Sequence, residues 1–115
     1  MPYLKLTTNI EVSTEKISVI LTELSQIMAQ QTGKPERYVL VEYRHNPAML
    51  FAGIDAPLAY LECKSIGLTT GQAKSLSAAI TAVLAERLKI KADRVYIEFS
   101  NCPGNYWGWN GSTFG

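Results

Sequence analysis

The chain has 115 residues, of which 47% are hydrophobic and 18% charged, with a formal net charge of +1. These values describe a single globular domain spanning residues 1–115 with a modest core, and they exclude a disordered polymer. They provide no bulk field to draw the chain to nucleic acid or an anionic membrane. No apolar run reaches transmembrane length, and no basic region with an apolar core opens the chain. The expected setting is therefore the cytoplasm, without a membrane or nucleic-acid partner.

In chain order, the first feature is Met1-Pro2 running into the strand-like Tyr3-Leu4-Lys5-Leu6-Thr7. Removal of the initiator methionine before a small second residue leaves proline with a free secondary amine. An α-amino group titrates at roughly 7.7–8.0, and burial lowers that value by disfavouring the charged form. Pro2 is thus a candidate base at neutral pH; equally, Met-Pro can simply start the chain with a stiff residue. Residues 14–32 place Ile17, Ile20, Leu21, Leu24, Ile27 and Met28 on one helical stripe. Ser13 or Thr14 can cap its start, while Gly33 and Pro35 stop it. Arg37 to Tyr43 is rich in strand formers, and Leu58 to Ile66 reads as another strand. Thr69 and Gln72 have capping-box spacing ahead of a helix presenting Ala73, Leu76, Ile80, Val83 and Leu84. Arg94 to Phe99 is the last strand expected.

Two tandem β-α-β units result, about residues 2–50 and 56–100. Met28-Ala29-Gln30 stands before Arg37-Tyr38-Val39 much as Leu84-Ala85-Glu86 stands before Arg94-Val95-Tyr96. Right-handed crossovers make the strands of each unit parallel and put both helices on one side. The predicted fold is a two-layer α/β sandwich, a four-stranded mixed sheet with two helices on one face. Consecutive apolar residues such as Tyr38-Val39-Leu40-Val41 suggest that both sheet faces are buried. Two helices cover only one, so further subunits are expected on the other. Cys63 and Cys102 form no C-x-x-C pair, and with a single histidine, His45, no metal site is expected.

These features resemble the macrophage migration inhibitory factor family of the tautomerase superfamily. The likeness runs the length of the chain. It is carried by Met1-Pro2, Thr32-Gly33-Lys34-Pro35, Ser65-Ile66-Gly67, Leu84-Ala85-Glu86-Arg87-Leu88, Asp93-Arg94-Val95-Tyr96-Ile97, Gly108-Trp109-Asn110 and Ser112-Thr113-Phe114. The resemblance implies a homotrimer whose sheets form a central barrel, with active sites at the subunit interfaces. It implies a phenylpyruvate tautomerase without cofactor, with dopachrome tautomerisation as a related activity of the family, and an aryl α-keto acid enol as substrate. Pro2 falls on the catalytic base and Lys34 on the residue that binds the substrate carboxylate. Tyr38, Ser65, Ile66, Trp109 and Phe114 fall on pocket-lining positions, and Tyr96 on a tyrosine contributed by a neighbouring subunit.

The residue types suit that chemistry. Moving a proton between an enol oxygen and the adjacent carbon needs one group that accepts and returns it near pH 7. Aromatic walls suit a flat aryl substrate, and a lysine suits its carboxylate. Outside the family each residue also has a plainer reading. Lys34 can serve as a solvated charge at a helix C-terminus, Tyr96 as core packing, and Ser65-Ile66-Gly67 as a strand end and turn. The chain departs from the family in places. Leu58 and Leu61 occupy the C-x-x-C positions associated with thiol–disulfide activity. Glu98 stands where asparagine is frequent, Lys64 where some members have histidine, and Trp107 where vertebrate members have a smaller residue. Ser13 and Asn46 do not match the cytokine surface. The alternative to an enzyme is a trimeric cytokine-like signalling or binding protein with a vestigial pocket, released without a signal peptide.

Overall fold

A computed structural model describes all 115 residues. The first strand, β1, covers Tyr3–Thr8, followed by helix α1 (Thr14–Thr32) and strand β2 (Leu40–His45). Strand β3 (Ala59–Ile66), helix α2 (Thr70–Leu88) and strand β4 (Val95–Cys102) repeat the plan, and the chain ends in a small hairpin of β5 (Gly108–Trp109) and β6 (Ser112–Thr113).

Local chemistry sets the helix limits. The Ser13 hydroxyl accepts the Lys16 N–H at 3.3 Å, so Ser13 is the cap of α1. Gly33 ends that helix in the left-handed region, φ 70°, with its N–H donating to the Ala29 carbonyl at 3.0 Å. At α2 the capping box closes in both directions. Gln72 N–H donates to the Thr69 hydroxyl at 3.1 Å, and Thr69 N–H to the Gln72 side-chain oxygen at 3.0 Å.

The sheet order is β2-β1-β3-β4, with β1 parallel to β2, β3 parallel to β4, and β1 antiparallel to β3. This is the expected four-stranded mixed sheet with two helices on one face. Its inner face carries Leu4, Leu6, Ala59, Leu61 and Cys63, packed against Ile20, Leu24 and Met28 of α1 and Leu76, Ile80 and Leu84 of α2. Each such leucine contributes roughly 1.5–3 kcal/mol by leaving water. The helices are joined by Arg87, whose Nε and Nη2 donate to one Glu23 carboxylate oxygen at 3.1 and 3.0 Å. No helix is long and apolar enough to cross a membrane.

The structure corrects several details. The second strand begins at Leu40, not Arg37: after Pro35 the chain makes a 3₁₀ turn over Glu36–Tyr38, with Tyr38 N–H donating to the Pro35 carbonyl at 3.0 Å. Proline has φ locked and no N–H to donate, so it favours a turn ahead of the ladder. The last strand extends to Cys102 because Ser100, Asn101 and Cys102 still find partners in Lys64, Ser65 and Ile66. The terminal hairpin was not expected; its turn uses Asn110 and Gly111, both at positive φ (52° and 78°). His45 is the exposed last residue of β2.

The outer sheet face is mixed where an apolar one was expected. Tyr3, Lys5 and Thr7 point away from the core on β1, and Leu40 and Tyr96, 56% and 66% exposed, do so on β2 and β4. Consecutive apolar residues simply alternate: Val41 and Ile97 pack on the core while Leu40 and Tyr96 face out. The β2–β3 connection is fastened by Arg94. Its guanidinium donates to the carbonyls of Phe51 (2.9 Å), Ile54 (3.1 Å), Ala56 (3.0 Å) and Pro57 (3.0 Å).

Candidate active site

Pro2 is wholly buried at the foot of β1, and its carbonyl accepts the Leu40 N–H at 3.0 Å. Pro2 is thereby anchored to β2 on one side. On the other side the antiparallel register pairs Tyr3 with Lys64, so the next step along the ladder sets Pro2 beside Ser65. Ser65 is 1% exposed and its hydroxyl has no hydrogen-bond partner.

A cavity of about 400 Å³ opens between the N-terminus, the 3₁₀ turn and the terminal hairpin, with Pro2, Tyr38, Trp109 and Phe114 in its wall. The three rings form an aromatic corner. Tyr38 meets Trp109 edge-on at 5.3 Å and Phe114 at 5.9 Å, while Trp109 and Phe114 stack at 5.6 Å. Phe114 is held by its N–H, shared between the Gly104 and Trp107 carbonyls at 3.1 and 3.2 Å. Gly104 permits this approach, since a Cβ there would lie 3.3 Å from the Phe114 backbone. Trp107 also lines the cavity, and so does Met1.

The terminal amine, here on Met1, is held below its usual value of 8.0. Burial is the main cause and the nearby Lys34 charge the second, opposed by Cys102. Lys34 follows the left-handed Gly33, and its backbone N–H donates to the Thr32 hydroxyl at 3.3 Å. It is not part of the cavity wall and reaches the amine through its charge. Tyr3 also borders the cavity, but its hydroxyl donates to the Glu42 carboxylate. Burial, with Glu42 and then Glu62 adding to it, pushes the Tyr3 phenol up to about 12, so it stays protonated at neutral pH.

Of the residues named from sequence, Pro2, Tyr38, Trp109 and Phe114 therefore meet around one cavity, with Ser65 beside Pro2 and Lys34 in electrostatic range. Ile66 is half-buried at the end of β3, paired with Cys102. Tyr96 lies elsewhere in the same chain. It packs on Phe51 at a ring distance of 4.6 Å and borders a separate apolar hollow of about 360 Å³ with Leu50 and Tyr60. Glu98 pairs with Glu62 and Lys64 with Tyr3 in the sheet register. Leu58 and Leu61 are buried. Sequence reasoning missed Arg37, which lines the cavity with its guanidinium 4.7 Å from the Tyr38 ring centre. Its position three residues after Lys34 and next to Tyr38 was the available signal.

The family model described as macrophage migration inhibitory factor matches residues 1–115. The chain belongs to the macrophage migration inhibitory factor family. The gerbil (Meriones unguiculatus) macrophage migration inhibitory factor is 41% identical over 96 residues, 83% of this chain and 84% of that protein. The Brugia malayi homolog is 37% identical over 116 residues, spanning 100% of both chains. Among solved structures, the homologue from Prochlorococcus marinus has a TM-score of 0.92 at 36% identity, covering 98% of this chain and 99% of that one. The Toxoplasma gondii structure has a TM-score of 0.93 at 26% identity, covering 97% and 99%. The macrophage migration inhibitory factor family is known both for cytokines and for tautomerase-type isomerases.

Proposed function

We propose that this chain is a cytoplasmic keto–enol tautomerase for phenylpyruvate-like α-keto acids, with the amine of Pro2 as its base once Met1 is removed. The observation that carries the reading is the burial of Pro2 in the wall of an aromatic cavity, beside a terminal amine already held below its usual pKa.

The neutral amine takes the enol O–H proton, the oxygen pair left behind forms the C=O bond, and the C=C pair accepts the proton back from the prolinium at carbon. Protons and electrons balance, so the reaction draws on no cofactor. Tyr38, Trp109 and Phe114 flank the aryl ring, and the Lys34 charge attracts the substrate anion while keeping the amine neutral. Ser65 and Ile66, at the end of β3, are outside the cavity wall of a single chain, and the family likeness is what assigns them to the substrate site. The working unit in this reading is a homotrimer of single-domain chains in which Tyr96 of one chain serves the cavity of its neighbour. The exposed Leu40, Leu50, Ile54 and Tyr96 support that assembly.

The test is ketonisation of enol phenylpyruvate, followed by ultraviolet absorbance in protein shown by mass to lack Met1. Pro2→Ala is expected to lower kcat by ~10²–10⁴-fold. Wild-type rates in correctly processed Pro2→Ala protein would refute the assignment.

A further inference from the structure

Within the cavity wall the only charged side chain is Arg37, and no carboxylate lines the wall. The guanidinium lies over the Tyr38 ring, its centre 4.7 Å from the ring centroid. It takes no part in the one salt bridge of the chain, which joins Arg87 to Glu23. The acidic neighbours are engaged elsewhere: Glu36 accepts the Ser25 hydroxyl at 2.9 Å, and Glu42 accepts the Tyr3 hydroxyl. Lys34, in contrast, stands outside the wall.

A guanidinium resting on an aromatic face keeps its N–H edges in a plane and free of that face. That arrangement suits a two-pronged contact with a carboxylate, which a lysine point charge does not provide. The pairing with Tyr38 also removes side-chain freedom before any substrate arrives, so less ordering is left for binding to accomplish.

We propose that Arg37 is the specificity-determining residue for the substrate carboxylate, gripping it directly in a forked contact, while Lys34 acts at longer range on the same anion and on the amine. This rests on the tautomerase reading for its reaction but not for its binding step. The cavity then selects aryl acids over their neutral esters and amides, and Arg37 carries most of the selection.

Two variants separate the fork from the packing. R37M keeps an unbranched apolar stem over Tyr38 and removes the charge; R37K keeps the charge and loses the fork. With processed protein, R37M is expected to raise KM for phenylpyruvate about tenfold, the loss falling on KM more than on kcat, with R37K intermediate. The pH at which the acid limb of kcat/KM turns over stays in place. Phenylpyruvate methyl ester loses far less. Binding is read independently from the fluorescence of Trp107 and Trp109, titrated with hydrocinnamate and hydrocinnamide, which do not react. Hydrocinnamate binding weakens about tenfold in R37M, while the amide barely changes. Equal losses for acid and ester, unchanged hydrocinnamate affinity in R37M, or no hydrocinnamate binding by the wild type each overturn the proposal. A wild type inactive on phenylpyruvate whose hydrocinnamate affinity still depends on Arg37 overturns the tautomerase reading alone.

Discussion

A secondary amine in an apolar wall is neutral, and so able to accept a proton, in a larger fraction of molecules at neutral pH than the same amine in water, because burial penalises its protonated form. Lys34 adds a second push in the same direction, since two cations at close range disfavour each other. Only the neutral amine accepts the enol proton, so kcat/KM rises with pH through the amine pKa and then levels. Lys34 is the second cause that lowers the pKa of the terminal amine, here on Met1; if its charge acts likewise on the proposed Pro2 base, Lys34→Gln moves the acid limb of the profile to higher pH. A pH–rate profile on both proteins checks this, and a limb that stays in place or moves to lower pH contradicts it. Tyr3 plays no acid–base part in that range, because its phenol is pushed up to about 12. The likeness at Pro2, Lys34 and Tyr38 was visible in the residue types, but Arg37 was not, because it read as the first residue of a strand, with nothing local to place a ring and a cavity beside it.

Among the elements, the β2–β3 connection depends most on a single distant residue. Arg94 donates four hydrogen bonds to its carbonyls and rests over Phe51 at 5.2 Å. The Asn9 side chain adds a bond from the Leu58 N–H at 3.0 Å and one to the Asp55 carbonyl at 2.9 Å. Arg94→Met is expected to cost about 2 kcal/mol in urea unfolding, since several partly exposed charge-assisted bonds go at once. An unchanged midpoint and slope would show that the loop holds itself. Both helices were legible because caps are local: Ser13, Gly33 and the Thr69–Gln72 box lie within a turn of the ends they set. The start of β2 was misplaced because strand propensity at Arg37 and Tyr38 is overridden by the turn that Pro35 begins. The terminal hairpin carried its own signal in Asn110-Gly111, but each strand is only two residues long, too short for alternation to register.

For the molecule as a whole, the site is legible only as far as one chain reaches. Tyr96 sits exposed on the outer sheet face against Phe51, away from the cavity of its own chain. Leu50 and Ile54, 70% and 54% exposed, extend the same apolar surface. The protein is therefore expected to sediment at three times its 12.7 kDa chain mass. Replacing Leu50 and Ile54 together with aspartate should yield smaller species of low activity, whereas a fully active monomer would remove Tyr96 from the mechanism. The central claim, that the Pro2 amine is the base, turns on one covalent bond. While Met1 is attached, the Pro2 nitrogen is an amide without a basic lone pair, and Met1 itself occupies the cavity wall. The most direct measurement pairs intact mass with specific activity across preparations processed to different extents. The account predicts phenylpyruvate ketonisation in proportion to the fraction lacking Met1, falling to the buffer rate when none is processed; full activity in wholly unprocessed protein would contradict it.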